Sequence, residues 1–155
     1  MRICAVLTVN AALAAILVAS STAHAAGPKA CDLLTSQTAG SVLGAPVGAA
    51  TDVQGMICSF SAKTGSAIVT LSISELPAMT AADFSRAMQA SGRQTGIQQV
   101  SGLGDAGFFN PGGGDRNTVN VLSDHQAVSL SVQRKLTPEL RLQMIDIMKQ
   151  WLAKL

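Results

Sequence analysis

Ala67-Ile68-Val69-Thr70-Leu71-Ser72-Ile73-Ser74 sets Val69, Leu71 and Ile73 against Thr70, Ser72 and Ser74. A period of two places the apolar set on one face and the hydroxyl set on the other, which predicts a strand with one buried side. Just upstream, Lys63-Thr64-Gly65-Ser66 has turn chemistry, and residues 56–61 place Cys58 and Phe60 beside polar neighbours. The two segments therefore read as a hairpin. The same alternation returns over residues 127–134, where Val128, Leu130 and Val132 oppose Ser129, Ser131 and Gln133. Two further strands are expected, one over 97–100 continuing through 106–109 and one over 117–122. Pro111-Gly112-Gly113-Gly114 and Ser123-Asp124-His125-Gln126 supply the connecting turns.

Helical signals stand between and around these strands. Thr35 suits an N-cap and Gly44 a stop, which predicts a helix over 35–43 after an exposed lead at 26–30. Thr80-Ala81-Ala82-Asp83 has the form of a capping box and opens a helix to about residue 91, with Phe84, Ala87 and Met88 facing inward. The last helix starts at the N-cap Thr137 with Pro138 at its first position. Its apolar stripe is Leu140, Met144, Ile147, Met148, Trp151, Leu152 and Leu155, opposite Arg141, Gln143, Lys149 and Gln150. Strands joined by short turns, without regular strand–helix alternation, predict an α+β fold: a mainly antiparallel sheet flanked by helices, in one domain spanning residues 26–155.

The chain opens with Met1-Arg2, runs apolar from Ala5 to Val18 and reaches the small-x-small triplet Ala23-His24-Ala25. These features predict a cleaved signal peptide over 1–25 and a periplasmic or secreted protein. Retention of the segment as an anchor is the competing reading. Removing Arg2 turns eleven Lys plus Arg into ten, against nine Asp plus Glu, for a net charge near +1. Charge so balanced gives no reason to expect nucleic acid, and no later apolar run is long enough for a membrane span. Cys4 leaves with the signal, so Cys31 and Cys58 remain as an even pair and are expected to form a disulfide; two buried free thiols are the alternative.

Catalytic and metal constellations are not evident. Gly102-Leu103-Gly104-Asp105-Ala106-Gly107 matches the dinucleotide fingerprint in letters, but Phe108-Phe109-Asn110-Pro111-Gly112 follows where a helix is required. A loop with positive-φ glycines, in which Asp105 bonds the turn, is the expected structure. His125 is the one histidine after the signal, and the scattered carboxylates fall short of a metal ligand set, so no cofactor is expected. With no tyrosine and four phenylalanines, aromatic stacking platforms for carbohydrate or single-stranded nucleic acid are disfavoured. The strand-face side chains Thr70, Ser72, Ser74, Ser129, Ser131 and Gln133 make either a solvated sheet face or the lining of a cleft for a neutral ligand. Phe108 and Phe109 are expected either in the core or as a contact point at a loop tip.

Cys31-Asp32-Leu33-Leu34-Thr35, Leu43-Gly44-Ala45-Pro46-Val47, Cys58 ahead of Phe60, and Val100-Ser101-Gly102-Leu103-Gly104-Asp105-Ala106 occur in an order that resembles a family of small secreted proteins and lipoproteins of unknown function, best known from actinobacteria. The resemblance implies a cystine between Cys31 and Cys58, a PsbP/Mog-like fold, and a binding or assembly role with no shared catalytic residues. This chain lacks the lipid-attachment cysteine common among the lipoproteins.

The functional expectation is an exported, non-enzymatic envelope protein that binds a protein partner or a small neutral or apolar ligand. Ser72, Ser129, Ser131, Phe108 and Phe109 are its candidate contacts. The alternatives are an envelope hydrolase using His125 and a lipid carrier with a pocket under the C-terminal helix.

Overall fold

A computed structural model describes residues 27–92 and 96–155. The expected signal peptide lies outside the described residues. Eleven elements follow in chain order: α1 (Ala30–Leu33), α2 (Ser36–Leu43), β1 (Thr51–Val53), β2 (Ile57–Ser61), β3 (Ile68–Glu75), α3 (Ala81–Gly92), β4 (Gln98–Gln99), β5 (Ala106–Pro111), β6 (Arg116–Ser123), β7 (Gln126–Gln133) and α4 (Pro138–Leu152).

The seven strands form one sheet in the order β1-β2-β3-β7-β6-β5-β4, antiparallel at every pairing. Two meanders are therefore laid side by side, joined where β3 meets β7 along eight residue pairs from Ile68↔Gln133 to Glu75↔Gln126. This α+β architecture agrees with the sequence periodicities. Val69, Leu71, Val119, Val121, Val128, Leu130 and Val132, all 0–1% exposed, point to one face, and α1, α2 and α4 cover it. Burying this set is the main stabilising term, at roughly 1.5–3 kcal/mol per large apolar side chain. Asn117 lies on the same face at 2% exposure. Its amide donates to the carbonyls of Asp115 (3.1 Å) and Arg134 (2.7 Å), so the polar group is satisfied where it is buried.

Helix ends follow the capping logic. Thr35 Oγ1 accepts from Thr38 N at 3.2 Å, and α2 stops at Gly44, whose φ of 67° suits glycine. Thr137 Oγ1 accepts from Leu140 N at 3.2 Å and Pro138 opens α4. Met144 and Met148 in α4 are fully buried. Ile145, which the stripe omitted, is 8% exposed, whereas Leu155 lies beyond the helix end and is 38% exposed.

Three local expectations are corrected. Of the exposed lead expected over 26–30, Ala30 departs: it is 0% exposed and begins α1, held by the bond from its N–H to Gly55 O at 2.7 Å. Ala87 is exposed, because α3 meets the sheet only along Ala81, Phe84 and Met88, a stripe to one side of it. The strand expected over 97–109 is two strands, β4 and β5, folded back on each other. Gly102 (φ 70°) and Gly104 (φ 60°) turn the chain between them.

The disulfide joins Cys31 in α1 to Cys58 in β2, with the Cα atoms 5.0 Å apart and a sequence separation of 27. It fastens the first helix to the sheet. Among the described residues no helix is long and apolar enough to cross a membrane.

Candidate functional site

The second face of the sheet differs from the first. Among the described elements only α3 stands on it, at one corner, where Phe84 packs on Ala106, Phe108 and Leu122; the Phe84 and Phe108 ring centroids are 6.1 Å apart. Strand register extends the remaining surface in rows. One row is Ser59-Thr70-Ser131-Thr118-Asn110, and the next is Ile57-Ser72-Ser129-Asn120-Phe108. Thr70, Ser72, Ser129, Ser131, Thr118 and Asn120 are all half-buried. Ile57 and Ile68, 36% and 38% exposed, border the rows on the side away from α3.

The hydrogen bonds among these groups run within the two meanders, not between them. Ser59 Oγ and Thr70 Oγ1 lie 2.9 Å apart, Ser129 Oγ donates to Asn120 Oδ1 at 2.9 Å, and Thr118 Oγ1 donates to Ser131 Oγ at 3.5 Å. Across the central β3–β7 seam, Thr70 faces Ser131 and Ser72 faces Ser129, yet neither pair is bonded. Along the seam Ser72 has no side-chain partner among the described residues, and Thr70, Ser129 and Ser131 have one each, so every hydroxyl keeps spare hydrogen-bonding capacity. At one end of the rows Ile68, Thr70, Arg116, Ser131 and Gln133 line a depression of about 310 Å³.

Ser72, Ser129 and Ser131 are therefore brought together, as are the other three members of the expected polar set. Sequence reasoning missed Ser59, Thr118, Asn120 and Arg116, which join the same surface. A signal for three of them existed: Arg116, Thr118 and Asn120 alternate with Asn117, Val119 and Val121. Phe108 and Phe109 are not loop-tip contacts. Each is 1% exposed, Phe108 under α3 and Phe109 on the opposite face beneath Arg141, whose guanidinium carbon is 5.3 Å from the ring centroid.

The glycine motif is a packing device. Leu103, 1% exposed, is driven into the core between Gly102 and Gly104. A Cβ on Gly104 would lie 2.5 Å from Val121 Cγ1 and 2.6 Å from Leu122 O, and one on Gly107 would lie 2.7 Å from Leu103 Cβ. Asp105 accepts from Asp124 N at 3.0 Å and donates its own N–H to Leu122 O at 2.8 Å. The motif runs into β5, so no helix N-terminus meets a phosphate there.

His125 and Asp124, with φ of 63° and 45°, form the two-residue turn between β6 and β7. They share a depression of about 440 Å³ with Asp105 and Thr80. Both of those partners are engaged: Thr80 Oγ1 donates to Asp83 Oδ2 at 2.7 Å and accepts from Asp83 N at 3.1 Å, and Asp105 holds the turn. Among the described residues no serine lines this depression, and its one hydroxyl is that of Thr80. Beneath α4 the space expected for a lipid is filled by Leu140, Met144, Met148 and Trp151, all 0–3% exposed. A larger depression of about 620 Å³ lies beside α4, against α2, where Gln143 Nε2 already donates to Ser41 Oγ at 2.8 Å. Among the described residues no group of three or more His, Cys, Asp or Glu side chains is placed to hold a metal.

No protein-family model matches the chain, and no curated protein or solved structure matches it.

Proposed function

We propose that the chain is an exported, non-enzymatic envelope protein that binds a protein partner or a small ligand on the open face of its sheet. The hydroxyls of Thr70/Ser131 and Ser72/Ser129, which face each other across the central seam without bonding to one another, carry the reading. Each of these hydroxyls makes at most one side-chain hydrogen bond, so each keeps capacity for an incoming molecule. The exposed Ile57 and Ile68 beside them add apolar contact. The cystine suits an oxidising compartment, as does the export signal read at residues 1–25, so the site of action is read as periplasmic or secreted. The motif order, which resembles a family of small secreted proteins and lipoproteins, supports a PsbP/Mog-like binding or assembly module.

Native mass spectrometry and cross-linking of the exported protein test this. Wild type is expected to retain a ligand or a cross-linked partner, and Ser129→Trp to lose it while thermal unfolding stays cooperative. Ser72→Trp is a second probe of the same row, in case tryptophan at 129 disturbs packing. Retention by both folded variants would remove the face from consideration.

A further inference from the structure

The depression at the Arg116 end of the open face has a hydrogen-bond inventory that selects its ligand. Ile68, Thr70, Arg116, Ser131 and Gln133 line it, and no carboxylate is among them. All nine Asp and Glu residues of the chain lie among the described residues, and their ion pairs go to Arg86 (3.4 Å, from Asp83) and Lys149 (4.0 Å, from Asp146). Of the other described arginines, Arg134 donates from Nη1 to Val42 O at 2.9 Å and Arg141 sits over Phe109. Arg116 alone among them has neither an ion pair, a hydrogen bond nor an aromatic partner.

The neighbours add donors. Ser131 Oγ accepts from Thr118, which leaves its own proton free, and one proton of the Ser59/Thr70 pair is likewise uncommitted. Gln133 brings two amide protons from the strand position opposite Arg116. Donors thus outnumber acceptors around the Arg116 guanidinium. A group with acceptors only completes such a set, and the fork of a guanidinium matches an oxyanion with two oxygens in reach.

We propose that Arg116, Thr70, Ser131 and Gln133 form the receptor for an oxyanion, a carboxylate or a phosphate, carried by the molecule that the open face binds. The inference rests on the binding-face reading and sharpens it: the ligand is polar along the hydroxyl rows and negatively charged at the Arg116 end.

The test is an amide-resolved NMR titration of the exported protein with acetate, inorganic phosphate and acetamide, at ionic strength held constant with chloride. Acetate or phosphate is expected to shift Thr70, Arg116, Ser131 and Gln133 saturably; the more effective of the two identifies the anion, and acetamide leaves Arg116 unmoved. Arg116→Gln, at an exposed position, is expected to weaken that anion about tenfold or more. Absence of a saturable shift, unchanged saturation in Arg116→Gln, or equal shifts around Lys29, Lys63 and Lys135 would overturn the receptor. Running the variants of the preceding section alongside separates the two readings. If Ser129→Trp loses its bound species while Arg116→Gln keeps both that species and anion binding, the face stands and the oxyanion receptor falls. If Ser129→Trp and Ser72→Trp keep the bound species while anions still depend on Arg116, the receptor stands without the wider face.

Discussion

The three glycines of the 102–107 loop separate backbone strain from steric overlap, and their alanine variants have a predicted order of cost. At Gly102, φ is 70° and a Cβ would meet nothing within 4 Å. Gly102→Ala therefore incurs only the left-handed strain, about 1–2 kcal/mol. Gly107 carries no such conformation, but a Cβ there would lie 2.7 Å from Leu103 Cβ and 2.8 Å from Leu103 O. Leu103 is 1% exposed and has nowhere to withdraw, so overpacking of about 1–3 kcal/mol is expected. Gly104 combines both penalties: φ is 60°, and a Cβ would lie 2.5 Å from Val121 Cγ1 and 2.6 Å from the Leu122 carbonyl oxygen. Backbone in the middle of a sheet cannot yield as a flexible side chain can, so Gly104→Ala should cost about 2–5 kcal/mol. Urea unfolding of the three variants gives the comparison directly. Gly104→Ala no worse than Gly102→Ala would refute the packing account of this loop.

The remaining predictions concern the cystine and α4. Replacing both Cys31 and Cys58 by alanine releases a loop of 27-residue separation and should cost roughly 3.5 kcal/mol, seen as a fall in Tm of about 10 °C or more; a loss below about 1 kcal/mol would remove the staple's importance. Glu139 has its carboxyl held below its usual value of 4.5 by its own backbone N–H and then by the Thr137 hydroxyl. Its folded form binds a proton less readily than its unfolded form, so its contribution is present above pH 4.5 and lost as pH falls through the lowered value. Glu139→Gln should flatten that part of the stability profile, and an unchanged acid limb in urea midpoints would contradict the assignment. On one helix, Met144→Ala at a fully buried site should cost about 2–5 kcal/mol, while Leu142→Gln at 60% exposure should change stability by less than about 0.5 kcal/mol. Equal effects in thermal melts would mean that α4 docks through a different face.

The elements with strong local codes are legible in the sequence. Val69-Thr70-Leu71-Ser72 and Val128-Ser129-Leu130-Ser131 declare strands because each side chain's solvent preference matches a period of two, and Thr137-Pro138 declares a helix start because both residues suit an unpaired first turn. What failed locally were segments whose conformation depends on distant partners. Three-residue β1, exposed throughout, exists because β2 is there to pair with it. Ala30 looks like linker until Gly55 O supplies its hydrogen bond and the cystine pins the next residue. Residues 97–109 look like one strand because nothing in their hydropathy says that Leu103 leaves the sheet and returns.

The candidate site divides the same way, at the point where periodicity gives out and strand order takes over. Alternation assigns Ser72, Ser129 and Ser131 to polar faces, but only the β3–β7 pairing places those faces edge to edge, and only the β6–β7 register sets Arg116 opposite Gln133. Composition points away from any charge preference, since the ten Lys and Arg residues after position 26 nearly balance the nine carboxylates. Topology undoes that balance locally. Arg116 reaches the end of a hydroxyl row whose lining holds no carboxylate, so a chain whose charges nearly balance acquires a site rich in donors, and a ligand's negative end can find it over the short range that screening allows.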